Sequence, residues 1–289
     1  MTPTRATALC TAVLLLALVV SEAAARKVRH CNATVGRNKV GTLAGSIGCG
    51  YRCVADPSVR CLVDDDGDAE CPLENSGCRL ERIVVDQNAQ LDLNGFDLFA
   101  VYHGGSPVVC AGDRRSTCRV KGPGMVYAGK VSAITFTDGQ NLVLENLEIS
   151  RDYYGIVTDG SVRISDLTMD CDGGILGRKS LRAKNVRAYS NCGLGSDNNV
   201  YLHDVRLDGA WAGGTLRGTD VTVGRITGRD VFLTRATNVR RVHSDGRLVL
   251  RDSEVGEIES GRKPRLIRST CTESRKIGTS ESWGVCALD

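Results

Sequence analysis

One nine-residue pattern recurs through the middle of this chain, and an internal repeat restricts the fold more tightly than composition does. It reads NLVLENLEI at Asn141–Ile149, SVRISDLTM at Ser161–Met169, SLRAKNVRA at Ser180–Ala188 and NVYLHDVRL at Asn199–Leu207. Two more copies are TLRGTDVTV at Thr215–Val223 and RLVLRDSEV at Arg247–Val255. Small or apolar residues hold positions 2, 4, 7 and 9, and Asn or Asp holds position 6: Asn146, Asp166, Asn185, Asp204, Asp220 and Asp252. Alternation at positions 2 and 4 marks a strand with one face buried; positions 7 and 9 mark a second, shorter strand. The Asn or Asp between them suits a turn, because a short polar side chain bonds local backbone and tolerates left-handed geometry.

The frame extends beyond these copies. Leading apolar positions fall at 91, 120, 142, 162, 181, 200, 216, 231, 248 and 266, and the copy from Arg225 to Arg241 is irregular in its second half. Most copies span about 15–22 residues, too few for strands plus a crossover helix, since such a connection takes a dozen or more residues. The chain is therefore expected to coil, each copy laying its strands on the previous one at about 4.8 Å. Leu and Val rows then stack inward, giving an all-β parallel β-helix solenoid. A leucine-rich repeat is the rival: Leu144-x-x-Leu147-x-Ile149-x-x-Asp152 fits its core. Such repeats need roughly 20–29 residues, and Ala210 and Ile226 stand where their Asn belongs.

Leu91-Asp92-Leu93-Asn94-Gly95-Phe96 resembles the LDLNG segment that often opens secreted right-handed parallel β-helix proteins of the pectate-lyase-like superfamily. The later copies resemble coils of that fold over about residues 83–270. The right hand is what the resemblance implies; the spacing does not show it. The polygalacturonase set N-T-D, D-D, G-H-G and R-I-K is missing, as is the epimerase Y-G-F-D-P-H, which Tyr154-Gly155-Ile156 does not continue. Lyases of this fold abstract a proton with Lys or Arg and often use Ca²⁺. Lys184 and His203, on equivalent positions of adjacent copies beside Arg182, are the candidate acid/base pair.

The ends of the chain read differently. Residues 6–20, ATALCTAVLLLALVV, follow Arg5 and precede Ser21–Ala25, the pattern of a secretory signal. Fifteen apolar residues fall short of the ~20 that a bilayer span needs. We expect a signal at 1–25, a mature chain from near Arg26, no membrane insertion after its removal, and an extracellular or periplasmic location. Outside that run lie twelve cysteines, Cys31, Cys49, Cys53, Cys61, Cys71, Cys78, Cys110, Cys118, Cys171, Cys192, Cys271 and Cys286. An even count in a secreted chain reads as disulfides. Local pairs are expected for Cys110 with Cys118, Cys171 with Cys192, and Cys271 with Cys286; the connectivity of the first six stays open. Residues 26–80 are expected to form a cysteine-rich cap, 81–270 the β-helix and 271–289 a closing segment.

No cysteine or histidine spacing fits a metal site, and no cofactor is called for. Ca²⁺ is considered only at Asp64-Asp65-Asp66-Gly67-Asp68, which lacks the Glu of an EF-hand and reads as an acidic turn between Cys61 and Cys71. His30 and His103 stand alone, and no G-x-S-x-G or H-E-x-x-H motif occurs. Asn32-Ala33-Thr34 is a glycosylation sequon in a eukaryotic secretory pathway.

The outward positions carry the ligand chemistry. Position 3 reads Val143, Arg163, Arg182, Tyr201, Arg217, Phe232, Val249, and position 8 reads Glu148, Thr168, Arg187, Arg206, Thr222, Glu254. Arginines stacked one coil apart repel by somewhat under ~1 kcal/mol per pair in water, a cost an anionic ligand or nearby Asp residues relieve. Arg163, Arg182, Arg187, Arg206 and Arg217, with Tyr201 for stacking, form the candidate site for an acidic polysaccharide. Tyr153, Tyr154, Tyr189 and Trp211 are further ring candidates. A net charge of +3 excludes a strongly basic nucleic-acid binder, and 4% aromatics argues against a long sugar cleft. The reading is a secreted, non-catalytic surface or carbohydrate-binding module. Alternatives are a polysaccharide lyase or epimerase with an atypical site, and a structural or adhesive solenoid.

Overall fold

The computed structural model describes residues 25–63, 69–73, 76–100, 105–129, 131–152, 155–279 and 282. The expected signal segment, Asp64–Asp68, His103, Tyr153, Tyr154 and Cys286 lie outside them. The described residues wind into a parallel β-solenoid of about 12 turns without helices, roughly 50 Å long at the usual strand spacing.

Each full coil has three faces, and each face buries one side of its strands. On the first face, Leu91, Val120, Leu144, Ile164, Ala183 and Leu202 lie in register on successive coils. Leu233, Leu250 and Leu266 continue the line, and all but Leu266 are buried. The second face stacks Ile47, Leu98, Val126, Ile149 and Met169. The third stacks Ile156, Ile175, Leu194 and Ala210, then Ile226, Val242 and Ile258. In the early coils, Thr34–Val35, Ile83–Val85, Val108–Cys110 and Ile134–Phe136 form a parallel sheet of their own.

The turn between the first and second faces is left-handed at every copy. Asn146, Asp166, Asn185, Asp204, Asp220 and Asp252 have φ of 49–56°, the geometry that short polar side chains tolerate. Arg235 (φ 51°) and Arg268 (φ 48°) occupy the same slot in two late coils. Arg235 donates to both carboxylate oxygens of Asp220 at 2.6 and 2.7 Å, and Arg268 does the same to Asp252 at 2.6 and 2.8 Å. The irregular copy is thereby resolved. Arg stands in the turn where Asn or Asp was expected, and Asn238 (φ 53°) adds a second left-handed residue before Val239 rejoins the ladder opposite Val255.

Two expectations about register and boundaries are corrected. Leu91, Val120 and Leu266 hold the fourth position, not the second: Val120 pairs with Leu144, and Leu250 with Leu266. The second position before Val120 is Cys118, opposite Leu142, and a bridged cysteine does not read as the head of an apolar pair. The segment 26–80 is not a separate cap. Arg26–Val28 pairs with Gly41–Leu43, which pairs onward with Leu91, so the coils begin at Arg26 and run to Lys276. They escape the repeat because Gly41 takes the place of a leucine. A Cβ there would stand 2.4 Å from Val35 Cγ2. An excursion also interrupts the coil, where Ile47–Cys53 pairs antiparallel with Cys78–Glu81.

Disulfides fasten this fold where its coils are irregular. Cys53–Cys71 and Cys61–Cys78 close the excursion, with Cα atoms 5.4 and 6.2 Å apart, and Cys31–Cys49 joins early coils at 5.3 Å. Cys110–Cys118 spans a corner and Cys171–Cys192 links adjacent coils, at 5.7 and 5.3 Å. Cys271 is disulfide-bonded as well. Such bridges persist in oxidising compartments. Among the described residues no helix is long and apolar enough to cross a membrane.

Candidate functional site

The outward residues of the first face build a stripe of alternating cations and rings. Arg163, Arg182 and Tyr201 stand side by side on three successive coils. The Arg182 guanidinium lies 5.2 Å from the Tyr201 ring centre, and that of Arg217 lies 5.2 Å from the Phe232 ring. Arg247 approaches the same ring at 5.7 Å. Each contact is a cation–π pair, worth about 0.5–1 kcal/mol at an exposed site. That is comparable to the repulsion between neighbouring arginines, so aromatic spacers let the cations share a narrow row. Arg163, Arg182, Tyr201, Arg217 and Arg247 are exposed, and Phe232 is half-buried.

Lys184 and His203 are register partners on the same face, two residues beyond Arg182 and Tyr201. Both are exposed. The Asp220 carboxyl is held below its ordinary range, chiefly by hydrogen bonds from Arg235, with smaller contributions from the charges of Arg235 and His203. A carboxylate, an imidazole and an amine thus sit around one stretch of the stripe.

The structure separates the other two predicted arginines from this stripe. Arg187 and Arg206 are partners on the second face, across the left-handed turn. Arg187 is turned into that corner, where it donates to the Asp204 carboxylate at 2.6 Å and to the Asp204 carbonyl at 2.8 Å. Its charge is already matched. Arg206 lines a different groove of about 700 Å³, with Asp208, Arg240 and Glu254; there Arg240 reaches Asp208 at 3.4 Å. The count along the strand puts positions 3 and 8 on neighbouring flanks, but the turn between them rotates the chain onto a new face.

The third face carries a shallow apolar shelf of about 390 Å³, floored by Gly155, Gly174, Gly193 and Gly209 and bordered by Val157, Leu176 and Trp211. Trp211 is 41% exposed. Its ring lies toward Gly195, where a Cβ would meet Trp211 Cε3 at 3.2 Å and Leu176 Cδ1 at 3.3 Å. Trp211 is therefore laid flat along the sheet.

One titratable group escaped the sequence reading. Asp152 is buried, opposite Cys171 in the ladder. Burial pushes its carboxyl up to about 6, against the N–H groups of Gly155 and Ala133 that bond its charged form. An Asp shortly before a Gly at a coil corner was the available signal; its inward direction was not, because the corner interrupts the alternation. Among the described residues no three His, Cys, Asp or Glu side chains gather as a metal ion requires.

No protein-family model, curated protein or solved structure matches this chain. The functional reading therefore rests on the chemistry of its own faces.

Proposed function

We propose that this protein is a secreted right-handed β-helix of the pectate-lyase-like kind, and that the first-face stripe binds an acidic polysaccharide. The observation that supports this reading is the alternation Arg182–Tyr201–Arg217–Phe232, with Arg247 on the far side of the last ring. An acidic polysaccharide offers carboxylate or sulfate groups to guanidinium forks and flat sugar faces to aromatic rings. The stripe repeats at the strand spacing of about 4.8 Å, so a chain lying along the solenoid axis meets cation and ring in turn. The test is retention of the purified protein at low salt on immobilised pectate, alginate and heparin beside a neutral glucan. Retention on an acidic polymer alone supports the proposal; equal behaviour on all four leaves a structural or adhesive solenoid.

The register pair Lys184 and His203, flanking the stripe, supports a second reading as a lyase or epimerase. One group takes a proton from the sugar carbon beside the carboxylate, and the other returns a proton to the leaving oxygen or the opposite ring face. Incubation with the retained polymer, followed by absorbance of unsaturated products and by NMR of the uronate composition, separates catalysis from binding alone.

A further inference from the structure

We infer that a pocket at the N-terminal end of the solenoid, between Arg29, His30 and Arg52, binds an oxyanion: a sulfate or phosphate group, free or as an ester. The site is distinct from the first-face stripe and does not depend on it.

The argument begins with charge. Residues 25–55 contain Arg26, Lys27, Arg29, Arg37, Lys39 and Arg52 and not one Asp or Glu, in a chain whose net charge is only +3. These residues form the first coils and the start of the excursion, so the cations gather at one end of the rod. Field lines from such a cluster favour anions over the rest of the surface.

Within that end lies an open hollow of about 420 Å³ whose walls include Arg29, His30, Ser46, Arg52, Ser58 and Glu81. Its two sides are tied together covalently. Cys31, next to His30, is bridged to Cys49, three residues beyond Ser46, so the cationic turn and the serine-bearing strand entry are held in fixed relation. Such preorganisation lowers the ordering cost of binding.

The donors in the hollow are uncommitted to a degree unusual on this surface. Among the described residues, no ion pair engages Arg29 or His30, whereas Arg187, Arg235, Arg241 and Arg268 each hold a carboxylate at 2.6 Å. Arg52 Nε stands 3.8 Å from Glu81 Oε2, beyond hydrogen-bond range, with both side chains about four-fifths buried (22% and 18% exposed). Ser46 Oγ accepts the Asp97 N–H at 3.1 Å, which leaves its O–H to donate. Ser58 is spent on Asp56 at 2.7 Å. Two guanidinium groups, an imidazole and a hydroxyl thus face the space against one carboxylate. A cation finds too few acceptors there, and a tetrahedral oxyanion finds donors on several sides, with the planar forks suited to paired oxygens.

The test uses the disulfide-intact, ¹⁵N-labelled protein, titrated with sodium sulfate and sodium phosphate at ionic strength held constant with chloride. Saturable amide shifts confined to Arg29–Asn32 and Ser46–Gly48 are expected. Arg29→Ser, at an exposed position, weakens them by roughly tenfold or more, the loss of one charge-assisted hydrogen-bonded contact. The double variant Arg182→Ser/Arg217→Ser leaves them unchanged, which separates this pocket from the polysaccharide stripe. A sulfated disaccharide and its desulfated counterpart identify the source: tighter binding of the sulfated sugar than of the free ion assigns an ester, and the reverse assigns the free ion. Shifts that never saturate, or an Arg29→Ser protein that binds as the parent does, overturn the proposal.

Discussion

Asn185 donates from Nδ2 to Oδ1 of Asp166, one coil earlier, at 2.7 Å, and both residues hold a left-handed backbone, at φ 51° and 55°. One row of residues therefore does two jobs: it lets the chain turn from the first face to the second, and it links successive coils. Asn146 begins this row, and the Asp–Arg clamps at Asp220–Arg235 and Asp252–Arg268 continue it.

Replacing Asn185 by Val puts a β-branched side chain at a positive φ, which costs about 1–2 kcal/mol for L-residues. Asn185→Gly removes the same hydrogen bond without that penalty and changes stability far less. Urea titrations of the two variants check this. A Val variant as stable as the Gly variant means that the turn does not need left-handed geometry.

Leu202 is buried between Ala183 and the coil that follows. Leu202→Ala is expected to lose about 2–5 kcal/mol, through lost burial and a residual cavity. Leu202→Asp is expected to prevent folding, because a buried unpaired carboxylate costs several kcal/mol. Secretion yield and thermal melts measure both. An Asp variant that melts like the parent contradicts an inward fourth position.

Asp152 makes stability depend on pH. Its carboxyl titrates near 6 in the folded chain against 3.8 as its ordinary value, so the folded state holds the proton more tightly. Stability from this group is complete below about pH 3.8 and is lost as pH rises through about 6. Asp152→Asn cannot ionise. Between pH 4 and pH 8 the variant should gain on the parent by up to roughly 3 kcal/mol. Denaturant melts at the two pH values give this difference directly, and an unchanged difference means Asp152 is solvated in the folded protein.

The Cys171–Cys192 bridge closes a span of 21 residues, about one coil. Changing both to Ser is expected to cost about 2–4 kcal/mol while leaving the coil register intact. A matching β-sheet circular dichroism spectrum with a lower melting midpoint is the expected outcome; loss of the spectrum means the bridge is needed for coiling itself.

The fold was readable in the sequence wherever one coil looked like the next. Leu144, Ile164 and Leu202 declared a buried line, and Asn185 and Asp204 declared a turn. It became unreadable where a slot was filled by a different solution to the same problem: Arg235 in a left-handed turn, Gly41 in a narrow coil, Cys118 at the head of a strand. The first-face half of the binding site was readable, since position 3 alternates outward along one strand. Arg187 and Arg206 were misplaced because linear spacing does not reveal how far a turn rotates the chain. Arg247 was missed because it reaches Phe232 from the start of the next coil, a contact that depends on which way a long side chain leans.

The central claim is that Arg182 and Arg217 bind an acidic polysaccharide from the first face. The most direct measurement compares the parent with Arg182→Ser/Arg217→Ser for affinity to pectate, alginate and heparin fragments across a salt series at constant pH. The account predicts that the parent binds at least one of them, with affinity falling steeply as salt rises. It predicts that the double variant binds more weakly with a shallower salt dependence and an unchanged melting midpoint, since both side chains are outward and free of core contacts. A parent that binds none of the three more tightly than a neutral glucan, or a double variant whose affinity and salt dependence match the parent's, contradicts it.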